Sequence, residues 1–302
     1  MTIVQLEYLV AVVNCGSFSL ASEQCFVTQP SLSMQIKNLE QELGVVLLDR
    51  SKKPVIPTEV GAMVVANARE ALKSYNYVKE SVSEFNGEVS GTLRFGVLPT
   101  IAPYLMPKFI PEFTRKYPKV HLVVHELKPK DIIAALNKDE LDVALMAGGA
   151  LPKSITEQEL FNDRFFAYIS PMNNLHDRKN IRFEDISIKD LLLLGDGHTY
   201  TDQILELCGI SRKGYNAYSF SGGSLETLMR IVDTTSKVTV IPEMAVPYIA
   251  DNRRKYVKML AKGAASRKIS LAVRRTYVKA SLIMALKETI LAVAPKLHVR
   301  LK

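Results

Sequence analysis

The chain has 302 residues, of which 47% are hydrophobic and 23% charged, and its formal net charge is +8. This length suits two or three folding units, and the composition is that of an ordinary soluble globular protein. The sequence has no run of about 18 apolar residues, which excludes a typical membrane-spanning helix. The apolar stretch 6–13 contains Glu7 and follows no Lys or Arg, so it does not fit a secretion signal, and we expect a cytoplasmic protein. Three scattered cysteines are too few for a disulfide framework.

The basic surplus is unevenly distributed along the chain. Residues 1–90 hold seven Lys and Arg against ten Asp and Glu, whereas residues 253–302 hold fourteen against one. A basic balance is typical of proteins that bind nucleic acid. Because the surplus lies near one end of the chain and residues 1–90 are acidic on balance, the net charge supports nucleic-acid binding only weakly, and the local pattern must decide.

Residues 1–45 predict three short helices. The first has an apolar stripe at helical spacing, the second follows a capping serine, and the third has a proline in its first turn and stops at Gly44. The residues concerned are Leu6, Leu9, Val10 and Val13 in the first, Ser17, Ala21 and Cys25 in the second, and Pro30, Leu32, Ile36, Leu39 and Leu43 in the third.

Residues 47–57 predict a small β-hairpin, or wing, in which two extended runs flank a charged turn. Thr58 then caps a long helix from Glu59 to about Phe85. A single long helix with one apolar stripe more often pairs with a partner helix than stands alone, so we expect dimerisation here. The stripe consists of Val64, Ala68, Leu72, Tyr75, Val78 and Val82.

After Gly91 the pattern changes to alternating strands and helices, which implies parallel sheets with helical crossovers. The predicted strands are 92–97, 120–126, 141–146, 165–170, 191–194, 217–220, 238–241 and 269–273, and the predicted helices include 104–116 and 131–137. The fold class predicted for the whole chain is therefore α/β, preceded by an all-α winged helix-turn-helix.

Residues 17–40 carry the strongest functional pattern, two helices that meet across a tight turn. Small or amide side chains at the exposed start of the second helix could enter a major groove, while basic side chains of the wing could hold the DNA backbone. The candidate DNA-binding residues are Gln29, Pro30, Ser31, Ser33, Gln35, Lys37, Arg50, Lys52 and Lys53. On this pattern alone, an ordinary three-helix bundle with a polar surface is an equally good interpretation.

The run from Leu6 through Gly61 resembles the LysR-type transcriptional regulators. The matching residues are Ser17-Phe18, Ala21, Val27-Thr28-Gln29-Pro30-Ser31-Leu32-Ser33, Ile36, Leu39-Glu40, Leu43-Gly44, Leu47-Leu48-Asp49-Arg50 and Thr58-Glu59-Val60-Gly61. The resemblance implies a winged helix-turn-helix, a dimer through the linker helix that commonly assembles into tetramers, and a two-lobed regulatory domain resembling periplasmic binding proteins. Met34 departs from the family, in which many members have Arg, and this implies a weaker electrostatic contact with DNA.

The second part of the chain resembles the peroxide-sensing OxyR branch of that family. The matching residues are Gly96-Val97-Leu98-Pro99-Thr100-Ile101-Ala102-Pro103-Tyr104-Leu105-Met106-Pro107, Leu194-Gly195-Asp196-Gly197-His198, Asp202-Gln203, Cys208, Ser224-Leu225-Glu226-Thr227-Leu228, Ile241-Pro242-Glu243-Met244-Ala245-Val246-Pro247 and Arg267. In that branch the residue after the matching His is a peroxide-reactive cysteine, which forms a disulfide with the cysteine matching Cys208. Here that residue is Thr199, which has no thiolate, so the implied disulfide cannot form.

Two interpretations of Thr199 remain open. Thr199-Tyr200-Thr201-Asp202 fits a capping box before a short helix 203–208, and the Thr199 hydroxyl could instead contact a ligand. His198 fits a packing residue as well as a donor in a cleft. Cys208 is more typical of a buried small apolar residue than of a reactive thiol.

Three further residues predict a ligand cleft. Thr100 follows a strand at the carboxyl edge of the sheet, Ser224 begins a helix whose free amides could hold an anion, and Arg267 would add positive charge. The alternative is a helix cap and a surface ion pair. With His198, Thr199 and Cys208, these residues form the candidate effector site, for which we expect a small polar or anionic ligand and neither a metal nor a cofactor.

We therefore predict a DNA-binding domain at 1–58, a linker helix at 59–90 and a regulatory domain at 91–302, with lobe I at 91–163 and 268–302 and lobe II at 164–267. The chain would cross between lobes near 162–164 and 262–267. The predicted function is a homodimeric or homotetrameric transcriptional regulator that binds double-stranded DNA and responds to a ligand or a redox signal, with RNA polymerase as a further candidate partner.

Two rival functions are weaker. The first is a solute-binding protein without DNA-directed regulation, which the lack of a secretion signal disfavours. The second is a small α/β hydrolase or dehydrogenase. The sequence has no Gly-x-Ser-x-Gly elbow, no glycine-rich dinucleotide loop and no pattern of metal ligands, so we expect no enzymatic activity.

Overall fold

The computed structural model describes residues 1–85, 88–178, 181–195, 197–211, 224–260, 265–275 and 279–294, and along 59–85 the side chains up to 72 and those of 74, 75 and 78. The chain divides into two units, Met1–Glu88 and Val89–Lys302. None of the helices within these ranges is long and apolar enough to cross a membrane. The predicted strand 217–220, the crossing near 262 and Asp196 lie outside the described residues, as does the side chain of Val82.

The first unit contains four helices and a two-stranded hairpin, as predicted. The elements are α1 (Ile3–Cys15), α2 (Phe18–Gln24), α3 (Gln29–Leu43), β1 (Leu48–Asp49), β2 (Ile56–Pro57) and α4 (Glu59–Phe85). The predicted cap residue of α2 is confirmed, because the Ser17 hydroxyl accepts a hydrogen bond from the Leu20 amide. The Thr58 hydroxyl likewise accepts a hydrogen bond from the Gly61 amide, at 2.9 Å. Gly44 ends α3 with a φ of 69°.

The helices of this unit close over a small apolar core. The predicted stripes of α1 and α3 supply Leu9, Leu32, Ile36 and Leu39, all fully buried. Helix α4 adds Ala68, with Val64 and Leu72 packed at the edge of the core.

The second unit is a mixed α/β structure, as predicted. Its strands are β3 (Gly91–Val97), β4 (Val120–Glu126), β5 (Val143–Ala147), β6 (Ile155–Ile169), β7 (Leu191–Leu192), β8 (Val238–Pro242), β9 (Val257–Met259) and β10 (Ser266–Arg274). Its helices are α5 (Ala102–Lys116), α6 (Pro129–Asn137), α7 (Thr199–Leu207), α8 (Leu225–Asp233) and α9 (Ala280–Val293).

The expectation of parallel sheets was only partly right. The strand order is β4-β3-β5-β10-β6-β8-β7, with β9 beside β6. Strand β3 is parallel to β4 and β5, and β7 to β8, but β10 is antiparallel to β5 and β6, and β6 to β8 and β9. The alternation of strands and helices predicted only parallel neighbours. It failed because β10, which comes from far along the chain, inserts between β5 and β6. Alternation along a sequence does not reveal which strands become neighbours.

Strand β6 connects the two parts of this sheet. Its residues from Ile155 to Arg164 pair with β10, and those from Phe165 to Ile169 pair with β8. The sequence predicted only the second part, because the first part is polar and largely exposed and has no apolar alternation. Strands β6 and β10 therefore carry the chain between the β3–β5 side and the β7–β9 side.

Candidate functional site

The outer surface of α3 carries most of the predicted DNA-binding residues. Because Leu32, Ile36 and Leu39 are buried, the helical period places residues 30, 34, 37 and 41 on the opposite side. Gln29, Pro30, Ser31 and Lys37 are exposed, and Ser33 is half-buried at the edge of this side. Gln35 is turned toward α1, where its side-chain oxygen accepts a hydrogen bond from Gln5 Nε2 at 3.3 Å.

Two exposed apolar residues on this surface were absent from the predicted set. The Phe26 side chain is 95% exposed and that of Met34 is 63% exposed. Apart from Pro30, all the residues predicted to contact DNA are polar or basic. The signal that could have found these two residues is their position, in the turn and on the outer line of α3.

The wing presents its three basic residues to solvent. Arg50, Lys52 and Lys53 are all exposed. The Arg50 guanidinium donates to Glu40 at 2.9 Å and lies 5.1 Å from the centre of the Phe18 ring. The second carboxylate oxygen of Glu40 accepts from the amide that begins the wing, Leu47, at 2.9 Å. Glu40 thus connects α3 to the wing and holds Arg50 beside α3.

A buried ion pair lies where β6 and β10 run side by side. Arg267 Nε donates to Asp163 at 2.9 Å, and both side chains are fully buried. Arg267 Nη1 donates to the Thr100 hydroxyl at 2.7 Å, and Nη2 donates to the Thr100 carbonyl at 2.9 Å. The structure therefore brings two predicted effector residues into contact, but the charge of Arg267 is compensated inside the protein by Asp163, which the sequence analysis missed.

Thr199 does not form the predicted capping box. Helix α7 begins at Thr199 itself, with His198 at the preceding cap position, so the expected helix start at 203 was wrong. The Thr199 hydroxyl donates to the Ala147 carbonyl at 3.3 Å, across to the end of β5. This tertiary contact competes with local capping, and sequence spacing does not reveal it.

Gln203, one turn along α7, reaches the same carbonyl. Its Nε2 lies 3.4 Å from the Ala147 oxygen. Its Oε1 is buried and has no hydrogen-bond partner among the described residues. A buried acceptor of this kind favours a donor group from a ligand or an ordered water.

His198 and Cys208 lie at opposite ends of α7 in apolar surroundings. Burial lowers the pKa of His198, and Lys128 lowers it further, so both effects favour the neutral imidazole. Burial raises the pKa of the Cys208 thiol to about 11, with Glu184 adding to the effect. The two ends of the helix are about 13 Å apart, well beyond the reach of a disulfide.

Ser224 caps helix α8, which is the alternative to a ligand contact. Its hydroxyl accepts a hydrogen bond from the Thr227 amide at 3.2 Å and begins α8. Ser224 is exposed, whereas Thr100 and Arg267 are buried. Among the residues that the structure describes, no group of three His, Cys, Asp or Glu side chains is placed to hold a metal ion.

Two family models match the chain. Residues 3–62 match the bacterial regulatory helix-turn-helix protein, lysR family, and residues 86–295 match the LysR substrate binding domain. The hydrogen peroxide-inducible genes activator of Dickeya chrysanthemi is 36% identical over 82% of this chain and 81% of its own. The DNA-binding transcriptional dual regulator OxyR of Escherichia coli K12 is 35% identical over the same shares.

Solved structures show the same likeness. A full-length OxyR variant from Pseudomonas aeruginosa superposes with a TM-score of 0.80 at 30% identity, covering 96% of this chain and 94% of that one. A hydrogen peroxide-bound OxyR variant from Corynebacterium glutamicum gives a TM-score of 0.65 at 28% identity over 98% and 93% of the two chains.

Proposed function

Because the chain belongs to the LysR family of DNA-binding transcriptional regulators, we propose that it holds operator DNA with α3 and the wing and that a signal in its second unit controls this binding. The observation that carries the proposal is the match of both family models, which together span most of the chain. The relatives named above are regulators, and we propose that this chain likewise has no enzymatic activity and acts in the cytoplasm.

Binding to DNA from upstream of its own gene tests this function. Because phosphate contacts release counterions, the affinity should fall steeply as salt rises. A solute-binding protein without DNA-directed regulation would not retard such DNA at any salt concentration. The same assay with candidate effectors tests the regulatory half of the proposal.

Helix α3 supplies the base contacts in this proposal. Its exposed N-terminal turn suits entry into a major groove, where side chains read base edges. We assign base contacts to Gln29, Pro30, Ser31 and Ser33, and phosphate contacts to Lys37 and the wing residues Arg50, Lys52 and Lys53. Gln35 is a weaker candidate for a DNA contact because its side chain faces α1.

Replacing Gln29 with alanine should reduce discrimination between the operator and random DNA by about 1–3 kcal/mol, the value of a bidentate contact to a base. Competition binding at fixed salt measures this change. Arg50→Ala is the matched control. It should weaken binding to the operator and to random DNA equally, and it should reduce the slope of log affinity against log salt concentration by about one. An unchanged preference in Gln29→Ala would remove this residue from the base contacts.

Pairing of subunits is part of the same proposal. LysR-type regulators form oligomers, and we propose that α4 joins two copies of this chain and that pairs assemble into tetramers. The support is a line of exposed apolar side chains along α4, which includes Val60, Met63, Tyr75 and Val78. RNA polymerase is a further partner in this proposal.

The predicted domain boundaries, 1–58, 59–90 and 91–302, belong to the proposal, together with the two lobes. The change of partner along β6 at Arg164 and Phe165 supports a division of the regulatory domain near 163 and 164. A ligand between lobes that are joined by two strands could shift one packing of the oligomer toward another. That shift would move the paired DNA-binding domains.

The proposed effector site comprises Thr100, His198, Thr199, Cys208, Ser224 and Arg267. The buried Oε1 of Gln203 needs a donor, whereas the charge of Arg267 is already compensated by Asp163. These two features favour a small neutral ligand with a hydrogen-bond donor, and they disfavour an anion. The Corynebacterium glutamicum structure holds hydrogen peroxide, which is a ligand of that chemical kind.

Hydrogen peroxide should leave the chain without a disulfide that includes Cys208 and should leave Cys208 unmodified. With a pKa of about 11, the Cys208 thiol is almost entirely protonated at neutral pH, and the thiolate is the form that peroxide oxidises. Mass spectrometry after peroxide treatment, paired with operator binding, measures both points. We propose that the protein either resembles a permanently reduced sensor or reads another ligand in the same cleft.

Thr199→Cys provides the matched comparison for this experiment. It would place a thiol in the first turn of α7, where the free amides of the helix lower the pKa of a thiol. This variant should therefore be oxidised by peroxide when the wild type is not. Stoichiometric modification of Cys208 in the wild type, with a change in operator affinity, would contradict the proposal.

A further inference from the structure

Phe26 occupies a backbone conformation that does not suit it. Its φ is 56°, in the left-handed region. It lies two residues after Gln24, the last residue of α2, and two hydrogen bonds close the turn, from the Phe26 amide to the Glu23 carbonyl at 3.2 Å and from the Val27 amide to the Ser22 carbonyl at 3.0 Å. This is the Schellman arrangement, whose left-handed position is usually Gly and sometimes Asn.

Within the described residues, glycine takes the left-handed position after α1, α3 and α7, where Gly209 has a φ of 65°. Gly16 ends α1 with a φ of 61°, and Gly44 ends α3 with a φ of 69°. A bulky side chain in this conformation is strained, and packing does not offset the strain at Phe26, because its ring is 95% exposed. The folded chain therefore gains nothing from this ring, which points to a partner outside the chain.

Pro30 and Met34 are further exposed apolar residues, on α3. They are four residues apart on the outer line of the helix, opposite the buried stripe, and both are exposed. Phe26 comes two residues before Thr28, the cap of that helix. We call Phe26, Pro30 and Met34 the apolar tip. Gln29, Ser33 and Lys37 lie among or beside its residues, so the surrounding surface is polar.

We infer that the apolar tip reads the C5-methyl groups of thymines in the major groove of the operator. The thymine methyl is the one apolar group that base pairs present in that groove, and aromatic and aliphatic side chains contact it. The polar neighbours of the tip suit base edges and phosphates better than a dry contact with a second copy of the chain. The inference rests on the proposed entry of α3 into the major groove, and it adds an apolar part to the recognition code.

The test uses thymine-to-uracil replacement, which removes only the C5-methyl group. The full-length protein first selects an operator from random-sequence duplexes, and each thymine is then replaced singly. Loss of one buried methyl should weaken wild-type binding about fourfold. For Phe26→Asn, the replacement of at least one of these thymines with uracil should leave the affinity unchanged. This variant should also bind the unmodified operator about five- to tenfold more weakly than the wild type.

Thermal unfolding separates recognition from a structural role. Asn tolerates the left-handed conformation better than Phe, so Phe26→Asn should unfold at the same or a higher Tm while binding DNA more weakly. Val46→Asn is the control, because Val46 is 65% exposed beyond the opposite end of α3 and should leave binding unchanged.

Three results would overturn the inference. Unchanged operator binding by Phe26→Asn is one. Equal uracil sensitivity in the variant and the wild type is another, because the ring would then contact something other than a methyl. Loss of the oligomer in Phe26→Asn by sedimentation would assign the tip to contacts between subunits. Selection that yields no operator at all would instead contradict the proposed function itself.

Discussion

Replacing Arg267 with methionine should lower the free energy of unfolding of the regulatory unit by about 3–5 kcal/mol, the usual cost of leaving a buried charge without its partner. Arg267 and Asp163 are fully buried, so solvent does not screen the loss. Asp163 would keep one hydrogen bond, from the Met244 amide at 3.2 Å. Urea unfolding of the full-length protein, followed by circular dichroism, measures the change.

A neighbouring ion pair provides the control for Arg267→Met. The next residue, Lys268, pairs with Glu159 at 3.0 Å, but its side chain is 66% exposed. Lys268→Met should therefore change stability by less than about 0.5 kcal/mol. If the two variants were equally stable, the buried pair would not be holding β6 and β10 together.

The loss in Arg267→Met should also depend on pH. Burial raises the pKa of the Asp163 carboxyl, and Arg267 is the main group that lowers it again, so removing Arg267 raises this pKa further. A carboxyl whose pKa is higher in the folded state than in the unfolded state favours folding at low pH. This contribution is lost as the pH rises through the unfolded and then the folded pKa. The deficit should therefore be smaller at about pH 5 than at about pH 8.

The first unit could be predicted from the sequence because its signals are local. Ser17, Thr58 and Gly44 act within a few residues of their own positions, and the apolar stripe of α3 repeats at the helical period. Phe26 is the exception there. Its left-handed conformation and exposure follow from the turn between two packed helices, which residue type alone would not suggest.

The surroundings of the candidate effector residues were harder to predict because their contacts span long distances in sequence. Arg267 meets Asp163 from 104 residues away, and Thr199 meets Ala147 from 52. Spacing rules for helices and strands do not reach that far. They suggested a capping box at Thr199 and left Asp163 unnoticed, although its carboxylate is fully buried and pairs with Arg267.

The structure also separates two residues that the apolar stripe of α4 had grouped together. Leu72 is half-buried against the core of its own unit, whereas Val78 is 64% exposed. A charge at Leu72 would therefore destabilise the unit itself. A charge at Val78 would act on whatever covers α4, which makes it the better test of pairing.

Val78→Lys should dissociate the dimer while leaving the subunit folded. Two lysines would face each other in an apolar seam, where burial of unpaired charge is unfavourable. Operator affinity should then fall by about a hundredfold or more. In the dimer, binding of one DNA-binding domain brings the second close to its half-site, and separated subunits lose this advantage. Sedimentation velocity measures the association state, circular dichroism the fold, and retardation of the operator the affinity.

Ala66→Lys is the matched control for this prediction. Ala66 is an exposed residue of the same helix, twelve positions before Val78, so the helical period places it about 120° around the axis from Val78. Alanine and lysine are both good helix formers, and this variant should stay dimeric with wild-type affinity. If Val78→Lys remained dimeric as well, α4 would not be the seam. If both variants dissociated, the contact would cover a wider part of α4 than its apolar line, because charge on either side of the helix would then be excluded.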